Sequence, residues 1–169
     1  MKQFLYVVIA LSLCFSSVGI ASTQGDVEKF PACKYCGMDR AKFAHSRVLI
    51  HYDDGTSEGT CSLHCAAIDL ALNIDKTPGS IMVGDFNTGN LIDAEKATWV
   101  IGGSKPGVMS KNAKWAFAEK ADAEKYIAAN GGALSTFDQA MKASYEDMYT
   151  DTKMIREKRK MMKMHNHAK

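Results

Sequence analysis

Hydrophobic and polar positions divide the chain into two strand–strand–helix–strand stretches followed by a long helix. The first 21 residues stand apart. Lys2 precedes an apolar run over 4–15, and small residues return at Gly19 and Ala21. This is the layout of a signal peptide cleaved after Ala21, with an apolar run too short to cross a bilayer as a helix. Residues 22–32 are polar and read as a flexible N-terminal segment. Positions 47–52 (RVLIHY) are rich in β-branched and aromatic residues and predict a strand. Asp53-Asp54-Gly55 is a hairpin turn signal, and a shorter strand over 56–61 returns from it. Ser62 can cap a helix running to about residue 74, with Ala66, Ala67, Leu70 and Ala71 on its inner face. Pro78-Gly79 breaks that helix, 81–86 predicts a third strand, and Asn87-Thr88-Gly89-Asn90 a turn.

The same order then recurs. Strands are expected over 97–101 (ATWVI) and 114–118 (KWAFA), joined by the flexible loop Gly102-Gly103-Ser104-Lys105-Pro106-Gly107. A helix over 122–130 stops at Gly131-Gly132, and 134–137 predicts a short strand. The fold expected is therefore α+β: two related ββαβ units packed together, spanning 33–90 and 91–140. Met141, Tyr145 and Met148 fall at helical spacing within a helix over 137–162, so 141–169 forms a C-terminal helix with a basic Met/His-containing tail.

Charge is unevenly spread behind a formal total of +2. Residues 22–152 carry 13 Lys/Arg against 18 Asp/Glu, whereas 153–169 carry seven Lys/Arg and only Glu157. A basic end can attract nucleic acid or membrane surface. Export argues against nucleic acid, and a solvated, frayed terminus accounts for the charge. No segment after the signal peptide is apolar enough to span a membrane.

Chemistry concentrates in Cys33-Lys34-Tyr35-Cys36-Gly37-Met38 and in Cys61-Ser62-Leu63-His64-Cys65. A C-x-x-C-G turn lets two sulfurs face one ion, and Gly37 permits the backbone conformation that such a knuckle needs. A second pair at a strand-to-helix junction completes the layout of a tetrahedral four-sulfur site. Soft sulfur selects Cu(I), Zn(II) or an iron–sulfur cluster. In an exported chain, the four cysteines Cys33, Cys36, Cys61 and Cys65 could equally form two disulfides. Met38 is either a Cu(I) thioether ligand or an apolar residue beside the turn, and Met109 either a ligand or a packed loop anchor. His64 is expected to face away from the pair, and His45 and His51 to be ordinary surface residues. Met161, Met162, Met164, His165 and His167 form a tract of the kind that collects copper, or else an incidental feature of a disordered end. No thioredoxin-type unit surrounds the C-x-x-C, and no Ser–His–acid set, phosphate loop or carboxylate pair is legible. Those absences argue against an enzyme.

CKYCGM, followed in order by IDAEKATWVIGG and PGVMSKNAKWAFAEKADAEKYIAANGGALSTFDQA, resembles the NosL family, copper accessory proteins for maturation of nitrous oxide reductase. The matching pieces span roughly 33–141. The resemblance implies two ββαβ units and a single Cu(I) held by soft ligands. It implies a periplasmic chaperone that catalyses nothing, with the apo-reductase and a membrane-bound maturation complex as partners. By position, Cys36 and Met38 come from the motif, with Cys33 beside them, and Met109 from the loop of the second unit. Family members are commonly lipoproteins, whereas here Leu13 stands before Cys14 where a small residue is needed, so lipid anchoring at Cys14 is the minority reading. The Cys61/Cys65 pair is closer to a TRASH- or YHS-like metal-binding half, and a structural zinc at four cysteines with copper elsewhere is an alternative.

Overall fold

The computed structural model describes residues 25–167, the last two by backbone alone; the expected signal peptide, with Cys14, lies outside them. Helix α1 (Gly25–Lys29) comes first. Strands β1 (Val48–Tyr52) and β2 (Ser57–Thr60) form the expected hairpin, with Val48 opposite Thr60 and His51 opposite Ser57. Helix α2 (Leu63–Leu72) leads to β3 (Pro78–Gly84), which pairs with the other side of β1, and then to β4 (Leu91–Asp93) on the outside of β3. The second unit comprises β5 (Thr98–Ile101), β6 (Lys114–Phe117), α3 (Lys120–Asn130) and β7 (Ala133–Ser135), and α4 (Phe137–His167) closes the chain.

The sheet orders are β2-β1-β3-β4 and β6-β5-β7, antiparallel throughout. In each unit the first strand is central, flanked by its hairpin partner and by the strand that follows the helix. That shared order is the repeat the pattern predicts, and the α+β class with a C-terminal helix holds.

Several boundaries moved for local reasons. Pro78 opens β3 at its first position, where the missing N–H costs no ladder bond, and a register shift follows between His51 and Tyr52. Strand β4, unanticipated, completes the edge of the first sheet. Helix α2 stops at Leu72, so Ile74 is 90% exposed. Its buried positions are Leu63, His64, Cys65, Ala66, Ala67 and Asp69, while Ala71 faces outward. Ser62 occupies the N-cap position, but its side chain makes no capping bond. The tail continues α4 as helix, in keeping with its Lys, Arg and Met content.

One core spans both units. Val48, Ile50, Leu63, Ala66, Ile81 and Val83 from the first pack with Trp99, Ala116 and Ala140 from the second part of the chain. Trp99 is fully buried and donates its indole N–H to the Ala94 carbonyl at 2.8 Å. The sheets are stitched where Asp85 bridges Ala116, the Phe86 N–H reaches the Ala116 carbonyl at 2.8 Å, and the Ala118 N–H reaches the Asp85 carboxylate at 3.0 Å. At the end of β3, Gly84 leaves no room for a side chain: a Cβ there would stand 1.9 Å from the Ala44 carbonyl oxygen.

Residues 25–32, expected to be loose, are tied down. The Asp26 carboxylate accepts from Arg40 at 2.8 Å and from Arg47 at 2.9 and 3.0 Å, all three side chains being 5% exposed or less.

His51 is exposed as expected, but His45 is not an ordinary surface residue. Its ring sits half-buried against Trp115 at 5.5 Å and edge-on to Phe86 at 5.9 Å. Burial, and then the Lys105 ammonium nearby, lowers its pKa. A histidine held neutral contributes stability above its unfolded pKa of about 6.5, and loses it as pH falls through the lower folded value. His45→Gln should flatten that acid-side loss. Urea midpoints on both sides of about pH 6.5 measure it, and an unchanged pH dependence would count against this role.

Candidate metal centre

The first half of the centre is a tight knuckle. The Gly37 N–H bonds the Cys33 carbonyl and the Cys33 N–H bonds the Met38 carbonyl, both at 2.8 Å. Gly37 has φ +74°, the left-handed conformation expected of it. Arg40, just beyond, is buried and locks the knuckle to the second half. Its Nε donates to the Thr60 carbonyl at 3.0 Å, immediately before Cys61, while Nη1 donates to the Phe30 carbonyl at 2.8 Å, ahead of Cys33.

The second half is the β2–α2 junction. Cys61 follows β2, its carbonyl held by the Ser46 hydroxyl at 2.8 Å, and Cys65 lies in the first turn of α2. The four cysteine sulfurs lie within 4.8 Å of one another. Cys36 Sγ is 3.4 Å from Cys61 Sγ, which is 3.8 Å from Cys65 Sγ. All four are thiols rather than disulfides; a disulfide requires about 2.05 Å. A tetrahedral ion with metal–sulfur bonds of about 2.3 Å needs sulfurs about 3.8 Å apart. The donor set therefore fits a thiophilic ion in both chemistry and spacing.

Cys33, Cys61 and Cys65 are buried, and Cys36 is half-buried. Hydrogen bonds from the Cys36, Cys61 and Cys65 thiols hold the Cys33 thiol far below the ordinary thiol range. The same crowding, led by the contact with Cys33, pushes Cys61 and Cys65 up. Cys36 is lowered too: its contact with Cys33 raises it, but hydrogen bonds from Cys61 and Cys65 outweigh that. The knuckle pair is thus the more acidic half of the cluster, and binding a cation displaces the remaining thiol protons.

Met38 and Met109 pack against the cluster from two different elements. Met109 has φ +59°, a left-handed conformation rare outside glycine. Helix α4 supports the loop that carries it. Asp151 accepts the Lys111 N–H at 2.9 Å, and Asp147 accepts from Lys114 Nζ at 2.6 Å and Asn112 Nδ2 at 3.2 Å. Further along α4, Arg159 donates to the Cys36 carbonyl at 3.1 Å. Between α4 and the knuckle lies a cleft of about 550 Å³, bordered by Cys36, Met38, Met109, Met154 and Met162.

The expected four-cysteine group is therefore assembled, with Met38 and Met109 beside it. His64 is outside the group: it is buried against α4, with Nδ1 3.6 Å from Asp151. Burial lowers its pKa, partly offset by the Asp151 charge. Of the expected auxiliary tract, Met162 borders the cleft; Met161, Met164 and His165 lie exposed along α4, and the His167 side chain falls outside the described part. Sequence reading missed Asp26, Arg40, Asp147, Asp151 and Met154. Only the i, i+4 spacing of Asp147 and Asp151, a shared helix face, was a usable signal.

Fold and site define a class: a duplicated ββαβ protein with a soft-sulfur cluster at a knuckle and a helix start. The NosL family model matches residues 24–145, and the chain belongs to the NosL family. The crystal structure of the copper chaperone NosL from Shewanella denitrificans is similar, with a TM-score of 0.52 and 24% sequence identity over 63% of this chain and 87% of that one. That likeness concerns the fold. No curated protein matches this chain. Among the described residues no helix is long and apolar enough to cross a membrane.

Proposed function

We propose that this protein is a periplasmic metallochaperone that binds Cu(I) and passes it on for maturation of nitrous oxide reductase or a similar cuproenzyme. The observation that carries this reading is the position of Cys36. It is the half-buried member of the thiol cluster, and it borders a cleft that also carries Met38 and Met109. Family membership, the copper chaperone of like fold and the signal-peptide pattern support it.

Cys36, Met38 and Met109 hold the ion on the open side of the cluster, with Cys33, Cys61 and Cys65 behind them. Thioethers are neutral soft donors suited to Cu(I) and need no deprotonation. A sulfur from the recipient enters from the cleft and replaces them one at a time. The ion remains Cu(I), and the protein catalyses no reaction. Its partners are the apo-cuproenzyme and a membrane-bound maturation complex.

The spacing of the four sulfurs favours a second reading, a protein-interaction module built around a structural Zn(II). Native mass spectrometry with elemental analysis separates the two. The sample is mature protein from a periplasmic extract, prepared anaerobically with both metals present. One copper per chain, lost in Cys36→Ser and Met38→Leu variants, is expected. Zinc alone, with loss of fold on chelation, would establish the second reading instead.

A further inference from the structure

The family match ends at residue 145, yet α4 continues to His167 and forms one wall of the cleft beside Cys36. The part of α4 beyond the match contributes Met154, Lys158, Arg159 and Met162 to that wall. We infer that Met154 and Met162 are two thioether stops for a monovalent thiophilic cation, on a path along α4 between solvent and the cysteine cluster. This inference rests on the copper-carrying reading above.

Helix geometry requires two stops rather than one cage. Eight residues of α-helix rise about 12 Å, farther than one ion can bridge. Each stop has its own anchor across the cleft. Asp151, three residues before Met154, holds the Lys111 N–H next to Met109 at 2.9 Å. Arg159, three residues before Met162, holds the Cys36 carbonyl at 3.1 Å. Met154 thus sits towards the Met109 loop and Met162 towards Cys36. Exposure orders the path: Met162 is 59% exposed, Met154 half-buried, and Cys33, Cys61 and Cys65 buried. Thioethers bind Cu(I) without displacing protons. The cationic Lys158 and Arg159 beside them disfavour a resident cation, so the stops exchange quickly, and the cluster, with four sulfurs within 4.8 Å of one another, is where the ion rests.

The test uses mature protein labelled with ¹³C at the methionine methyls, titrated anaerobically with Ag(I), a diamagnetic monovalent soft cation. The expected result is that the Met154 and Met162 methyls shift once the cluster is filled, while Met161 and Met164 on the same helix do not. A Met154→Leu/Met162→Leu variant should load the cluster to the same stoichiometry, but pass Cu(I) to a soluble chelator at least about tenfold more slowly, the lower end of what removing a supporting group does to a metal site. Met154 and Met162 methyls that respond no more than those of Met161 and Met164, or an unchanged transfer rate, would overturn the inference and leave the chaperone reading standing. Failure of the wild-type cluster to bind either cation would overturn both.

Discussion

Replacing Cys36 with serine is expected to lower Cu(I) affinity by more than the roughly 10–100-fold that follows loss of an outer-sphere partner, with the fold retained. The substitution exchanges a soft thiolate for a hard hydroxyl donor of similar size. Cys36 is the half-buried member of the cluster, so little packing is disturbed. Met38→Leu is the companion: it keeps the bulk beside the knuckle and removes only the thioether, so any loss of affinity reports coordination. Cys61→Ser differs in kind, because Cys61 is fully buried and its replacement leaves a hydroxyl in a packed site. Anaerobic competition against a chromogenic Cu(I) chelator measures all three. Binding releases thiol protons, so wild-type affinity should rise with pH. Wild-type affinity in Cys36→Ser would remove Cys36 from the ligand set.

Asp26→Ala should produce the largest loss of stability, about 3–5 kcal/mol, as expected when one partner of a buried ion pair is removed. The Arg40 and Arg47 side chains are 0% and 1% exposed, and the alanine leaves both guanidinium groups without the carboxylate between them. Burial by itself would raise the Asp26 pKa; hydrogen bonds and charge from Arg47 and then Arg40 outweigh it, and the net shift is downward. A carboxylate with a depressed folded pKa contributes stability above its unfolded value of about 3.9, lost as pH falls through the folded value. The variant should therefore lose most at neutral pH and converge with the wild type in acid. Chemical denaturation at several pH values tests this, and a loss below about 1 kcal/mol, as for exposed pairs, would contradict it. Arg40 also joins the knuckle to the Thr60 carbonyl before Cys61, so the same variant should loosen the thiol cluster and weaken metal binding.

Most of the fold was legible because its signals are local. β-branched runs at 48–52 and 98–101, the Asp53-Asp54-Gly55 turn and the Gly131-Gly132 stop each act within a few residues. The repetition of their order implied the repeated sheet topology. What escaped was decided at a distance. Strand β4 is three residues long and exists through its pairing with β3. Ala71 fits the apolar stripe of α2 but faces outward, because what packs on a helix is set by the rest of the chain. His45 is polar in sequence and half-buried in fact, since Phe86 and Trp115 arrive from other parts of the chain. Of the candidate site, the C-x-x-C knuckle and the helix-start pair were legible from spacing. Which cysteine opens to solvent was not.

By itself the sequence determined the donors: four thiols in two pairs, a methionine beside one of them, and a glycine that lets the knuckle turn. These follow from residue identity and short spacing, and so does the order of strands and helices around them. Only the tertiary structure decided the rest. It brought Met109 to the cluster across the two units, placed α4 so that Asp147 and Asp151 hold the Met109 loop, and buried Asp26 between two arginines. It also left Cys36 alone half-open to a methionine-lined cleft. Each of these depends on contacts between residues far apart in the chain, set by how the two sheets and α4 share one core, and local propensity carries no information about such contacts.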